Sequence, residues 1–503
     1  MERLLAWSYL CCLGLLACYG VHRYHLVWLY YRVKARRATP PTGGASWPTV
    51  TIQIPVYNER YVVERAIRSA CEVDYPHERL EIQLLDDSTD DTTEIIARAM
   101  APYRQRGLAV SHVRRTDRQD FKAGALAEGL TRAGGEFIAV FDVDFVIPPD
   151  FLKRTVPFFT DATVGMVQVR WGHLNADCSL LAQSQAILID GHFAIEQVAR
   201  HQSGRFFSFN GTAGIWRKAA ILSAGGWQTD TLTEDLDLSY RAQLAGWRFV
   251  FLPDLVACAE LPVEMNAFKT QQYRWTKGSI QTAKKLLPRV LHSPLPWPIK
   301  AEAFFHLSGF FIYPIGLLAS LGFPPILMGL FHLPHSWYTD LTWFLLLAIP
   351  GACFYLCAQR EIHPDWPKRV VLILWVVAVG IGMSVNNTVA VLDALAGGDS
   401  EFIRTTKFGI HSKADRWAHK RYRAPQTTTA WLELALAAYF AFGFLVALNH
   451  GVYLALPSLA LFCAGFGYVG WLSLSQRAPL QTPTRLLLQL ARSRAPHRLP
   501  TSA

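Results

Sequence analysis

Apolar stretches long enough to cross a bilayer lie at both ends of this chain, and the block between them, from about Thr49 to Pro262, has none. This division limits the fold more than any single motif. About 20 apolar residues in contact with lipid can satisfy their own backbone hydrogen bonds only as a helix. The first run, Leu4–Val21, is followed by Arg32, Lys34, Arg36 and Arg37. A cleaved signal carries its basic residues before the apolar run. An uncleaved span is therefore expected, with the following block in the cytoplasm. Further apolar runs occupy Phe304–Phe331, Leu341–Ala358, Val370–Leu395, Trp431–Leu448 and Val452–Leu472. At 51% hydrophobic and 17% charged residues, the chain is too apolar for a purely soluble enzyme of 503 residues.

Charge decides which runs cross. The net charge is +10, but the basic residues flank apolar runs, which suits orientation in a lipid bilayer and argues against a nucleic-acid partner. The loop Gly397–Arg423 carries Arg404, Lys407, Lys413, Arg416, Lys420, Arg421 and Arg423, and the tail carries Arg477, Arg485, Arg492, Arg494 and Arg498. Both are expected in the cytoplasm. Three crossings between residues 304 and 395 would place that loop outside. Val370–Leu395, with Ser384, Asn386, Asn387 and Asp393 in its second half, is the run to demote to an interfacial or re-entrant segment. A split at Pro324-Pro325 is the second way to restore parity. Five spans are preferred, and six or seven stay open. The nine cysteines are scattered without a CxxC pair and read as small hydrophobes.

The middle block alternates strand and helix patterns. Thr49–Val56, Leu80–Leu85, Leu108–Arg114 and Phe137–Phe141 read as strands; Asn58–Cys71, Thr92–Arg104 and Lys122–Thr131 read as helices. Such alternation implies a mostly parallel sheet, with ligands beyond the carboxyl ends of the strands. Beyond this block, Ala267–Leu287 mixes Lys269, Arg274, Lys277, Lys284 and Lys285 with Phe268, Tyr273, Trp275 and Ile280, as a helix lying on a membrane surface does.

Two acidic clusters, Asp86-Asp87 and Asp142-Val143-Asp144, fall at the predicted sheet edge. Carboxylates at i and i+2 after a buried strand can share a divalent cation and a diphosphate, and hard oxygen ligands suit Mg²⁺ or Mn²⁺. Lys122-Ala123-Gly124-Ala125 puts a Lys and small residues at a helix start, where a phosphate fits. Thr233-Glu234-Asp235 reads as a helix start, Thr233 capping and one acid available as a fixed base. Gln271-Gln272-Tyr273-Arg274-Trp275 offers a guanidinium for phosphate and an indole for a sugar face. Each motif alone also has a bland reading as a solvated loop, a cap or an interfacial anchor.

Their order carries more weight than any one of them. Pro55-Val56-Tyr57-Asn58-Glu59, Asp86-Asp87-Ser88-Thr89-Asp90, Phe121-Lys122-Ala123-Gly124, the DxD, Phe209-Asn210-Gly211-Thr212-Ala213-Gly214-Ile215-Trp216-Arg217, Thr233-Glu234-Asp235 and QxxRW precede the membrane runs. From about residue 49 to 475 the chain resembles the membrane-embedded family 2 glycosyltransferases of the cellulose-synthase superfamily, most nearly the plant cellulose-synthase-like A and C groups and their bacterial relatives. The resemblance implies an α/β GT-A (Rossmann-like) catalytic domain inserted between an N-terminal transmembrane helix and an α-helical membrane domain. The expected division is 1–38 first span and basic flank, 39–48 linker, 49–265 catalytic domain and 266–300 interface helices. Residues 301–475 form the membrane domain, with segment 370–395 interfacial and loop 397–429 cytoplasmic, and 476–503 a basic tail.

The resemblance also implies roles. Asp235 would be the base. Pro55, Tyr57, Glu59, Asp86, Asp87, Lys122, Asp142, Gln271 and Arg274 would face the donor, and Asp144 with Asp142 would hold the metal. Phe209, Asn210, Gly211, Glu234 and Trp275 would border the acceptor. Thr405, Thr406 and Lys407 would form a gating loop, although Phe402–Gly409 departs from the longer cellulose-synthase pattern. The implied reaction is inverting transfer of a hexose from UDP-glucose or GDP-mannose to a β-linked polysaccharide, extruded through the membrane domain. The alternative is a single transfer to a membrane lipid. A non-catalytic transporter or receptor subunit conflicts with acids at every expected position, and nothing in the sequence signals accessory subunits.

Overall fold

The computed structural model describes residues 2–476 apart from positions 37, 41–46, 329–348, 399–401, 413, 416, 418 and 426. Most of the expected linker, the join between the runs Phe304–Phe331 and Leu341–Ala358, Lys413, Arg416 and nearly all of the basic tail lie outside the described residues.

One seven-stranded sheet organises the middle block. Its strands are β1 Val50–Val56, β2 Leu80–Asp86, β3 Ala109–Arg114, β4 Phe137–Val140, β5 Val164–His173, β6 Gly214–Arg217 and β7 Arg248–Ala259. They lie in the order β3-β2-β1-β4-β6-β5-β7. β1 pairs parallel with β2 and β4, and β2 with β3; β6 runs antiparallel between β4 and β5, and β5 pairs parallel with β7. The expected mostly parallel sheet is present, with one reversed strand. β1 is rich in β-branched residues and buried almost throughout, as a strand covered on both faces must be. Parallel neighbours need a crossover, and the helices Val63–Cys71, Thr92–Gln105 and Phe121–Arg132 supply it. The register Val56↔Asp86 and Gln53↔Val140 brings the ends of β1, β2 and β4 to one edge.

The helix expected from Asn58 begins only at Val63. Asn58 has φ 55°, a left-handed conformation that Asn tolerates because its short side chain bonds locally. Its Oδ1 accepts from the Thr89 N–H at 2.8 Å, tying the loop after β1 to the loop after β2.

Side chains such as Ile52, Ile54, Ile67 and Ile96 fill one sheet face, and Leu126, Ile138, Phe193 and Trp216 fill the other. Each such fully buried side chain stabilises the fold by about 1.5–3 kcal/mol. The N-terminal helix, Glu2–Val33, adds Leu26, Leu29, Tyr30 and Val33 to the second cluster, so the first apolar helix also braces the catalytic domain.

Among the described residues four helices are long and apolar enough to cross a membrane: Trp7–Val33, Trp297–Ile326, Ala430–Asn449 and Tyr453–Ser475. Trp366–Gly382 and Ser384–Ala396 form a pair bent by 43°, a fifth candidate if the two are one broken span. This pair is the run expected at the interface. Its Asn386 Nδ2 donates to the Lys269 carbonyl at 3.1 Å, so that part of the polar half is turned to the helix Met265–His292. No split occurs at Pro324-Pro325. The helix Ile312–Leu327 runs through both, and the irregularity is a 3₁₀ turn at Gly309–Phe311.

Candidate active site

The ends of β1, β2 and β4, the start of the helix Phe121–Arg132, the helix Glu234–Leu244 and the helix Met265–His292 enclose a cavity of about 190 Å³. Tyr57 follows β1, with the Arg118 guanidinium 3.4 Å above its ring; Arg118 also lies over Phe121. Phe121 stacks on Phe402, and the Arg274 guanidinium covers the other end of this row at 4.3 Å from the Phe402 centroid. A planar base or ring entering here meets flat apolar faces and cations.

Past β4, Asp142 and Asp144 both line the cavity. Lys122 Nζ donates to Asp142 Oδ1 at 2.6 Å and to the Gly211 carbonyl at 3.0 Å, and lies 3.8 Å from Glu234. Burial pulls the Lys122 ammonium down, but Asp142 and Glu234 more than offset that and hold it above its ordinary value. Lys407 Nζ donates to Asp144 Oδ2 at 2.6 Å. Both DxD carboxylates thus already attract a cation, and their all-oxygen donors fit a hard divalent ion.

Asp235 stands in the first turn of its helix. Enclosure pushes its carboxyl up to about 7, Glu234 adds to the shift, and Lys122 opposes it. Gly211 faces it with φ +79°, and a Cβ there would lie 2.9 Å from Asp235 Oδ2. Thr233 occupies the capping position but does not cap through its side chain; Thr233 Oγ1 pairs with Thr282 Oγ1 at 3.2 Å instead. The helix Met265–His292 passes so close at Gly278 that a Cβ would meet Thr233 Cγ2 at 2.6 Å. Packing, not a cap, fixes the acid-bearing turn against the helix that carries Gln271, Arg274 and Trp275.

The loop from Phe402 closes over this cavity. Arg274 Nη2 donates to Thr405 Oγ1 at 3.0 Å and Arg404 pairs with Glu59 at 2.9 Å. Glu260 accepts from the Phe408 and Gly409 N–H groups at 2.9 and 2.7 Å.

Most of the predicted residues converge. Pro55, Tyr57, Glu59, Asp87, Lys122, Asp142, Asp144, Asn210, Gly211, Glu234, Asp235, Gln271, Arg274, Trp275, Thr405 and Lys407 line one cavity. Three do not. Asp86 is buried beneath it, its oxygens taken by His112, Thr93 and the Ser88 N–H. Phe209 is fully buried against Trp216, and Thr406 is buried beside the lining Thr405. Glu59 reaches the cavity but is engaged by Arg404. Arg118, Trp171, His173 and Glu260 line it without any sequence motif that pointed to them, and Phe121, Phe402 and Arg404 line it as well. The last three carry a signal in the sequence, Phe121 beside Lys122 in its motif and Phe402 and Arg404 beside the gating-loop candidate.

This arrangement, a sheet with acids at its carboxyl edge, an enclosed acid on a helix start and QxxRW on a helix leading into a membrane domain, defines a GT-A-type glycosyltransferase. The family described as "Glycosyltransferase like family 2" matches residues 48–278. Glucomannan 4-beta-mannosyltransferase 7 of Arabidopsis thaliana is 34% identical over 470 residues, spanning 88% of this chain and 80% of the relative. Glucomannan 4-beta-mannosyltransferase 1 of Oryza sativa subsp. japonica is 33% identical over 465 residues, spanning 86% and 84%. A mannosyltransferase from Pyrobaculum calidifontis, solved in complex with GDP-Man and Mn²⁺, shares the fold at TM-score 0.51 and 20% identity, covering 75% of this chain and 99% of that one. The chain belongs to glycosyltransferase family 2, with the cellulose-synthase-like glucomannan mannosyltransferases among its relatives, and is a hexosyltransferase.

Proposed function

We propose that this enzyme transfers a hexose from GDP-mannose or UDP-glucose to the growing end of a β-1,4-linked polysaccharide, with inversion, and passes the product through its membrane domain. The observation that carries the reading is Asp235. A carboxyl pushed up to about 7 is matched to removing a proton near neutral pH. Asp235 takes the proton of the acceptor hydroxyl. That oxygen bonds to the anomeric carbon as the bond to the diphosphate oxygen breaks on the opposite face, so an α-linked donor gives a β-linkage. Lys122 and Arg274 stand at the same cavity to receive the negative charge of the leaving diphosphate.

Asp144 and Asp142 would hold a Mg²⁺ or Mn²⁺ ion, which when bound neutralises charge on the leaving group. Tyr57, Asp87, Arg118 and Phe121 suit the nucleotide, and Asn210, Gly211 and Trp275 suit the acceptor end. Lys407 must leave Asp144 Oδ2 for a cation to use that oxygen, which fits a loop of Thr405, Thr406 and Lys407 that opens and closes over the donor. The catalytic domain lies in the cytoplasm in this reading, in keeping with Arg32, Lys34, Arg36 and Arg37 just after the first apolar run.

The test uses purified protein in liposomes with Mg²⁺ or Mn²⁺ and radiolabelled GDP-mannose or UDP-glucose. A long product that a β-mannanase or β-glucanase digests is expected. Failure to use either sugar nucleotide would sink the reading, and a short product soluble in organic solvent would replace the polymer with a glycolipid.

A further inference from the structure

Asn210 is gripped at both ends of its side chain. Its Oδ1 accepts from Gln197 Nε2 at 2.6 Å, and its Nδ2 lies 3.0 Å from His192 Nε2. Its backbone N–H donates to Gln168 Oε1 at 3.1 Å. Gln197 Nε2 also donates to the Ser208 carbonyl at 2.9 Å, so one amide holds this loop at two places. Asn210 lines the cavity, and the next residue, Gly211, faces Asp235. His192 and Gln197 do not line it; their hydrogen-bonded link to it is Asn210.

Both clamps come from one irregular turn. His192–Gln197 is a π-helical turn between the helices Leu180–Gly191 and Val198–Gln202. In an α-helix, residues i and i+5 point about 140° apart and cannot both reach one small amide. The wider π turn, closed by i to i+5 bonds, brings them toward one side, and such turns recur at functional sites. A regular α-helix here would lose one of the two contacts.

The turn is anchored from the membrane half. His192 Nδ1 lies 3.0 Å from Glu196 Oε2. The Glu196 carboxylate accepts from Arg200 Nη1 at 3.2 Å and from Arg23 Nη1. Burial pushes this carboxyl up, but Arg23 and Arg200 more than offset that and hold it well below the ordinary range. Arg200 Nε also donates to Glu302 Oε1 at 2.9 Å, and the other Glu302 oxygen lies 3.1 Å from His22 Nε2. Glu196, Arg200 and Glu302 are buried. His22 and Arg23 belong to the helix Glu2–Val33, and Glu302 to the helix Trp297–Ser308. A continuous chain of polar contacts thus runs from the first apolar helix to the cavity wall.

We propose that His192 and Gln197 are positioning residues for Asn210, with Glu196 holding His192, so that the first apolar helix helps to set where the acceptor end sits beside Asp235. The proposal rests on the transferase reading with Asn210 at the acceptor. It goes beyond that reading by tying the acceptor side to the helix Glu2–Val33.

The test is a double-mutant cycle on the full chain in detergent. Affinity for β-1,4-mannotetraose and for cellotetraose is measured, with GDP-mannose and UDP-glucose as controls. The variants are Asn210→Ala, His192→Phe and Gln197→Met, and each of the last two combined with Asn210→Ala. Phe and Met keep the bulk and remove the hydrogen-bonding nitrogen. Two positions are cycled, so one variant that fails to fold leaves the other. Each single variant should weaken tetraose binding about tenfold, the size of one lost hydrogen bond, and leave nucleotide-sugar affinity within about twofold. In the Asn210→Ala background neither should weaken it further. His192→Gln, whose amide nitrogen can meet Asn210, should bind the tetraose better than His192→Phe. Glu196→Gln should lose less than His192→Phe, in the same direction. Losses that add across both cycles overturn the proposal, because they mark independent structural effects. Unchanged tetraose affinities, an equal loss for the nucleotide sugars, or a wild type that binds neither tetraose overturn it as well. Losses that do not add, in a protein that transfers no hexose, would refute the transferase reading alone.

Discussion

The Lys407 ammonium lies 2.6 Å from Asp144 Oδ2 and 2.7 Å from the Glu260 carbonyl, so a side-chain cation stands at the oxygen that the second acid of the DxD would offer to a metal. Lys407→Met should free that oxygen. Mn²⁺ affinity without nucleotide should rise about tenfold, or about 1.4 kcal/mol. The resonance signal of free Mn²⁺ reads this directly, and an unchanged affinity would show that Lys407 does not compete.

The proposed role of Asp235 as the base gives two linked expectations. Asp235→Asn should lower transfer by about 10²–10⁴ while nucleotide binding persists. In the wild type, kcat/KM should climb with pH and level above about 7, because the base acts only when deprotonated. The raised carboxyl also means that the folded state binds the proton more tightly than the unfolded one. Stability should therefore fall as pH rises from the ordinary value of 3.8 to about 7, and stay low above it. The Asn variant should unfold at a higher temperature than wild type near pH ~8 and match it near pH ~4. A thermal melt series that shows parallel curves would contradict the assignment.

Gly211 tests the geometry rather than the charge. Its φ of +79° disfavours any Cβ, and the added atom would stand 2.9 Å from Asp235 Oδ2. Gly211→Ala should push the base aside and lower kcat by about 10²-fold, the size expected for an ångström-scale misplacement. Full turnover in this variant would show that the loop does not set the carboxylate.

Lys269 and Glu433 form an ion pair at 2.6 Å, each with a fully buried side chain. Replacing one partner strands a buried charge, so Lys269→Met or Glu433→Leu alone should cost about 3–5 kcal/mol. The double replacement should recover most of that, because two apolar side chains of similar size need no counter-charge. Unfolding in detergent gives the comparison, and a double variant as weak as either single one would refute the account.

The local signals were readable where the physics is local. β1 to β4 were visible because apolar strands alternate with amphipathic helices, and Asp142, Asp144 and Asp235 because each follows a patterned element. That Asp86 lies off the cavity was hidden, because its burial depends on His112, which comes from the neighbouring strand β3. The burial of Phe209 was hidden too, because a residue beside a turn can fall under a cavity as easily as beside it. The helix start at Asn58 failed on one left-handed residue whose partner, Thr89, lies in the loop after the next strand. Arg118, Glu260 and His173 carried no signal, since their position depends on pairings between distant strands. The antiparallel β6 was equally hidden, as strand order is set by packing rather than by pattern.

The helix Met265–His292 ends one half of the protein and begins the other. It brings Gln271, Arg274 and Trp275 to the cavity, while Lys269 is bound to Glu433 and Lys277 to Asp393 of the membrane half. The two halves are therefore not interchangeable modules. A chimera of two relatives joined just after Ala259 would give the reaction chamber one parent's floor and the other parent's wall. Parts taken from different homologues can be expected to work only if this rod and all of its footings come from a single parent.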